Sequence, residues 1–221
     1  VRNSILTDNG NKELIVFFSG WSIEPQDISF LKSSKYDVCM IHSYNSFMMQ
    51  PFKSARYEKV IAFAYSLGVF GLAMGMKYQR LPFDEIYSLN GTGKPIDNKF
   101  GIREAVFRKT LENLDVASLN SFQRNMFDSE EHFLRFSKNR RSFKTLKELK
   151  DELLFFLDKY NDSEPDCSIF EKVIISDKDR IFPSINQKKY WKGKNIEIIE
   201  GGHFPFYQFK SWDEIIDLCR K

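Results

Sequence analysis

Ser66 stands in the segment Ala64-Tyr65-Ser66-Leu67-Gly68, directly behind the apolar run Val60-Ile61-Ala62-Phe63 and ahead of a helix-compatible stretch from Val69 to Met76. A serine hydroxyl is a weak nucleophile until a base takes its proton. One recurrent way to expose it is a sharp strand-to-helix turn, in which small residues two before and two after the serine let the backbone double back. Ala64 and Gly68 are the small residues here, alanine standing where glycine is the common choice. A serine that opens a helix also serves as an ordinary N-cap, so this pattern needs partners before it implies chemistry.

The partners follow in order. Ile174 to Pro183 and Ile196 to Phe204 each run from an apolar strand into a polar loop, the first carrying Asp177 and Asp179 and the second His203. Serine, then acid, then histidine, each after a strand, is the chain order of the α/β-hydrolases. The chain has three histidines. His42 precedes the serine and breaks that order, and His132, among Glu130, Glu131 and Arg135, reads as a solvated surface residue. His203 follows Gly201-Gly202, where a loop can turn sharply, and is the expected base, an imidazole that takes and returns a proton near neutral pH. The orienting carboxylate is Asp179 or Asp177. Asp179, four residues before Pro183, is the favoured one; Asp177 reads equally as a turn residue. The plain alternative for both is a solvated loop with Lys178 and Arg180 as counter-charges. Backbone N–H groups for a developing oxyanion are expected from Leu67, the residue after the serine, and from Trp21 in the loop Ser19-Gly20-Trp21-Ser22.

These groups must be positioned by a sheet. Leu14 to Phe18, Tyr36 to Ile41, Val60 to Ala64 and Glu85 to Leu89 read as short buried strands, with a helical crossover expected between Ile23 and Leu31. Strands alternating with helices predict a mostly parallel sheet covered on both faces. From Phe100 to about Asp162 the apolar spacing becomes helical, without strands, which predicts an inserted helical cap at about 100–162 within a single domain spanning 1–221. Basic residues cluster in that insertion: Arg135, Lys138, Arg140, Arg141, Lys144 and Lys147. Strand signals return at Val173 and Ile196, and an amphipathic helix is expected from Trp212 to Leu218.

Composition bounds the rest. Of the 221 residues 42% are hydrophobic, enough for a full globular core. No apolar run approaches the roughly 20 residues of a membrane span, so a soluble, cytoplasmic protein is expected. A net charge of +3 is too small to argue for nucleic acid. Cys39, Cys167 and Cys219 are far apart with no CxxC, which suits buried structural thiols and predicts no zinc site. Neither metal nor cofactor is expected.

Several segments together resemble a known family. The loop Phe18-Ser19-Gly20-Trp21, the Ala64-to-Gly68 turn, Asn90-Gly91-Thr92-Gly93, Phe100-Gly101-Ile102 with Thr110-Leu111-Glu112-Asn113-Leu114, and Ser176-Asp177-Lys178-Asp179-Arg180-Ile181-Phe182 are similar to those of BioG proteins. These are pimeloyl-acyl carrier protein methyl ester esterases of biotin synthesis. The resemblance implies that Ser66, Asp179 and His203 fall on triad positions and Trp21 on the oxyanion loop. It also implies an acyl carrier protein bearing a methyl-pimeloyl chain as partner. An apolar tunnel under the cap would take the chain, and the basic run from Arg135 to Lys147 would either steer the acidic carrier or form a solvated helix face. A thioesterase or small-ester esterase uses the same constellation, and a non-catalytic binding protein can keep the fold; these are the alternatives.

Overall fold

The computed structural model describes residues 1–49, 54–139, 144–161 and 164–221. Its framework is a seven-stranded sheet in the order β1-β3-β2-β4-β5-β6-β7. The strands are β1 (Arg2–Thr7), β2 (Glu13–Phe18), β3 (Tyr36–His42), β4 (Lys59–Tyr65), β5 (Glu85–Leu89), β6 (Lys172–Ser176) and β7 (Ile196–Ile199). Only β1 runs antiparallel, against β3. The parallel register places Phe18 beside Ala64, Tyr65 beside Leu89, Leu89 beside Ile174 and Ser176 beside Ile199. Strand C-termini therefore share one edge, and the loops that leave it at 19–22, 66, 90–93, 177–183 and 200–204 meet there.

Period-two alternation divides the core. Val16, Phe18, Ala62 and Ala64 belong to one buried cluster, Ile15, Phe17, Ile61 and Phe63 to the other. The first cluster is covered by α2 (Leu67–Tyr78), a helix buried continuously from Leu67 to Gly75 because it is apolar on every side. The second is covered by α8 (Trp212–Arg220), whose Trp212, Ile215 and Ile216 face the sheet. Between β2 and β3 the expected crossover helix is a single turn, α1 (Pro25–Ile28).

Among the described residues four helices separate β5 from β6: α3 (Glu104–Glu112), α4 (Val116–Asn125), α5 (Glu130–Asn139) and α6 (Leu146–Lys159). Local signals start two of them. Asp115 accepts from the Ser118 N–H, and Thr145 from the Glu148 N–H, each pair forming a reciprocal capping box. The four do not pack as one layer. Phe107 and Leu111 of α3 and Leu149, Leu153 and Phe156 of α6 join the first cluster, whereas Phe133 and Phe136 of α5 join the second.

Two elements escaped the sequence reading. Arg2-Asn3-Ser4-Ile5-Leu6-Thr7 is an edge strand, mostly polar, that pairs on one side only. The other is α7 (Ser184–Tyr190), seven residues with three polar and two basic side chains. No described helix is long and apolar enough to cross a membrane.

Candidate active site

Ser66 lies between β4 and α2 with φ 59° and ψ −128°, a left-handed conformation that costs a non-glycine residue of order 1–3 kcal/mol. The turn persists because its surroundings leave no other path. Its own N–H donates to Leu89 O at 2.9 Å, continuing the β4–β5 ladder, and Gly68 packs so closely on β2 that a Cβ there would sit 2.3 Å from Phe18 O. Gly20 makes room from the opposite side: a Cβ at that position would lie 2.7 Å from the Ser66 Cβ.

The hydroxyl so presented meets the imidazole of His203. Ser66 Oγ and His203 Nε2 are 2.9 Å apart, and His203 Nδ1 is 2.8 Å from Asp179 Oδ2. All three residues are buried, His203 to 1% exposure. Asp179 Oδ1 accepts from the N–H groups of Ile181 and Phe182 at 2.8 and 2.9 Å, so the loop after β6 wraps its own carboxylate. The ring of Phe182 lies parallel to the imidazole at 6.0 Å, and Tyr65 packs at 5.0 Å. Asn90, itself at φ 50°, ties the two distal loops together: its amide donates to Ser176 Oγ and to His203 O, and it accepts from the Ser176 N–H. An imidazole held between a hydroxyl and a carboxylate can take the hydroxyl proton while the carboxylate stabilises the resulting charge.

The competing candidates are placed elsewhere. Asp177 Oδ1 accepts from the Gly201 N–H at 2.9 Å and shapes the turn rather than touching His203. His132 stands on α5 beside Asp128 and Tyr207. His42, at the end of β3, bonds Ser4 and Ser43. Burial first, then the nearby Lys144 and Arg2 charges, push His42 down to about 4. An unfolded imidazole titrates near 6.5, so between those values the unfolded chain binds a proton that the folded chain refuses. The stability this group contributes is full above about pH 6.5 and is lost as pH falls toward 4, up to about 3 kcal/mol. Urea melts at about pH 7.5 and about pH 4.5 are expected to show a smaller loss for His42→Gln than for the unmodified protein. The cysteines are free, and burial pushes Cys39 and Cys167 up to about 11 and Cys219 higher still, far from a reactive thiolate.

A cavity of about 720 Å³ opens onto Ser66, Trp21 and Leu67. Ile102, Val106, Phe107, Phe122, Leu153 and Ile181 make it apolar, while Thr110, Asn113, Ser118, Ser121 and Asn125 give it a polar side. The loop bearing Trp21 is clamped to the helices between β5 and β6: the indole N–H donates to Leu149 O of α6 at 2.9 Å, and its ring meets Phe122 of α4 edge-on at 4.7 Å. The Leu67 amide, first in α2, is one that helix geometry leaves without an intrahelical acceptor.

The expected basic run does not form one surface at this cavity. Lys144 is buried, its ammonium 2.9 Å from Glu152 with both side chains 3% exposed, and it is withdrawn from any partner. Arg135 lies over the rings of Tyr207 and Phe30 on the side of the molecule where α5 packs. Lys138 is exposed on α5, and Lys147 is exposed on α6 and paired with Asp151. Arg140 and Arg141 lie outside the described residues. The cations that do line the cavity are Lys109 of α3 and Arg180, both exposed, with no carboxylate among the described lining residues. Arg180 could have been suspected from its place beside Asp179; nothing in the sequence marks Lys109. Among the described residues no cluster of three or more His, Cys, Asp or Glu is placed to hold a metal.

A family model described as pimeloyl-ACP methyl esterase BioG matches residues 2–215. The chain belongs to the BioG family. The crystal structure of a BioG from Haemophilus influenzae superposes with a TM-score of 0.87 at 26% identity, over 97% of this chain and 99% of that one. A protein of Bacteroides fragilis named malonyl-[acyl-carrier protein] O-methyltransferase is 30% identical over 195 residues. That match takes in 87% of this chain and 40% of the relative, so the chain spans well under half of the relative's length. A hydrolase from Oleispira antarctica, 10% identical with a TM-score of 0.60 over 99% of this chain and 94% of its own, shares the fold alone. The BioG chain thus carries the α/β-hydrolase architecture: a mostly parallel seven-stranded sheet with helices inserted after β5.

Proposed function

We propose that the protein is a serine esterase that hydrolyses the methyl ester of a pimeloyl chain attached to acyl carrier protein, with Ser66 as nucleophile, His203 as base and Asp179 as orienting acid. The observation that carries this reading is the unbroken relay from Ser66 Oγ through His203 to Asp179, at 2.9 and 2.8 Å, opening into an apolar cavity. In the forward half His203 takes the Ser66 proton as Oγ attacks the ester carbonyl, and the Trp21 and Leu67 amides receive the oxyanion. Collapse expels methoxide, which leaves as methanol with the proton from His203. A water, deprotonated by the same imidazole, then attacks the acyl-enzyme; Ser66 regains its proton from His203, and the carboxylic acid product leaves and ionises to solvent. The cavity, within the 300–1,000 Å³ usual for small-molecule sites, suits an aliphatic chain. The shared buried cluster of cap and sheet supports one hydrolase unit with 100–162 as its cap.

Membership of the BioG family supports the carrier-bound substrate, and the name of the Bacteroides relative joins a methyl group to an acyl carrier protein. Lys109 and Arg180 replace the Arg135-to-Lys147 run as the cations that meet the acidic carrier, the polar side of the cavity adding hydroxyls and amides beside them. Reversing both, Lys109→Glu with Arg180→Glu, is expected to raise KM for carrier-bound substrate about tenfold and to flatten its salt dependence. Arg135→Ala should leave both unchanged. Steady-state kinetics at low and high ionic strength check this.

The deciding experiment offers methyl-pimeloyl carrier protein to the purified protein and measures methanol and free carrier together. Methanol with the acyl chain still on the carrier is the expected result. Free carrier without methanol would make the protein a thioesterase instead.

A further inference from the structure

We infer that Gln187 is a positioning residue of this site, one that holds the Asp179 carboxylate and the Phe182 backbone in the arrangement His203 requires. The inference rests on the serine-hydrolase reading above. Gln187 lies on α7, wholly buried, and its Nε2 donates twice: to Asp179 Oδ2 at 2.9 Å and to Phe182 O at 2.7 Å. Asp179 Oδ2 is the same oxygen that accepts from His203 Nδ1. With Ile181 and Phe182 N–H on Oδ1, the carboxylate has every lone-pair direction engaged, and only one of the four donors is the imidazole.

The other end of the amide shows what the arrangement costs. Gln187 Oε1 is buried without a hydrogen-bond partner among the described residues. An unpaired buried carbonyl is destabilising, a penalty that methionine or leucine of similar size would not incur. Flipping the amide does not help, because Oε1 would then face two acceptors. The side chain is therefore oriented by its two donated bonds, and those bonds end on the acid and on the residue whose ring stacks on the imidazole. Losing the donor leaves His203 as the remaining donor to Oδ2 among the described residues and the oxygen's charge undivided, so that it grips the protonated imidazole more tightly. The other ionisable neighbours do not duplicate this role. Tyr65, packed on His203 from β4, is fully buried, and burial holds its phenol protonated. Asp177, Lys178 and Arg180 on the loop itself are exposed.

The test follows phosphonylation of Ser66 by a fluorophosphonate across pH, a reaction that needs the activated hydroxyl but neither carrier nor acyl chain. Gln187→Met is expected to slow labelling roughly 10- to 100-fold. It should also move the midpoint of the rate's rise with pH upward by about half a unit or more. A folded Gln187→Met variant with an unchanged midpoint, whatever its rate, reduces Gln187 to a packing residue and overturns the inference. Should the variant fail to fold, the side-chain amide resonance of Gln187 in the unmodified, isotope-labelled protein decides. It is expected to shift when Ser66 is phosphonylated, through the shared Oδ2, and an unmoved resonance overturns the inference. Absence of labelling in the unmodified protein is a different failure: it removes Ser66 as nucleophile and takes the role of Gln187 with it.

Discussion

Replacing Ser66 by alanine is expected to lower methanol release from the carrier-bound methyl ester by about 10⁴- to 10⁶-fold, and replacing His203 by alanine to do about the same. The double variant should be no worse than either single one, because in the proposed mechanism the hydroxyl and the imidazole act as a unit across one 2.9 Å contact. Asp179→Asn should fall short of that loss yet exceed tenfold, since the backbone donors on Oδ1 remain while the imidazole loses its charged acceptor. Asp177→Asn, by contrast, should keep near-full turnover, its carboxylate being spent on the Gly201 N–H. Initial rates of methanol release, with circular dichroism to verify folding, check the series. Full activity in Ser66→Ala would remove the mechanism altogether.

The largest effect on stability is expected at Lys144 and Glu152. Their buried contact joins the start of α6 to its second turn, and the other carboxylate oxygen of Glu152 accepts from the Tyr44 N–H just beyond β3. A second strap runs from the Lys144 N–H to Glu24 Oε1 at the head of α1. Lys144→Met leaves Glu152 charged in a site without its cation, a change that typically costs about 3–5 kcal/mol. For a chain of this length that corresponds to a fall in Tm of roughly 6–20 °C. Lys144→Met combined with Glu152→Gln keeps an acceptor for Tyr44 and removes both charges, so it should recover most of the loss. Calorimetric melts of the two single variants and the double variant measure the coupling, and a single variant within about 1 kcal/mol of the unmodified protein would mean the pair is bathed in solvent.

The strands were legible because a parallel strand buried on both faces must be apolar along its whole length, as Val60 to Ala64 and Lys172 to Ser176 show in different degrees. Strand ends in turn located Ser66, the 177–179 loop and His203. What the sequence concealed follows from context that no local pattern carries. β1 pairs on one side only and tolerates Arg2, Asn3 and Ser4. Lys144 looks like one more basic residue until the fold sets Glu152, eight positions on, against it. Gln187 sits in a polar seven-residue helix with nothing to mark it, because its partner is a carboxylate that reaches it only after the loop from β6 has closed. The distribution of basic residues misled for a related reason: α5 turns toward the opposite face of the sheet, and charge that is clustered along the chain is divided in space.

The bond from the Trp21 indole to Leu149 O bears on how such a protein can be remodelled. A hydrolase whose insertion merely roofs the substrate could exchange that roof for another and keep its chemistry. Here the insertion also provides the anchor for a segment of the scaffold beneath it, with Phe122 as the second point of attachment. Transplanting a foreign insertion would therefore displace the loop that faces Ser66, and new specificity has to be won by changing side chains within the native one.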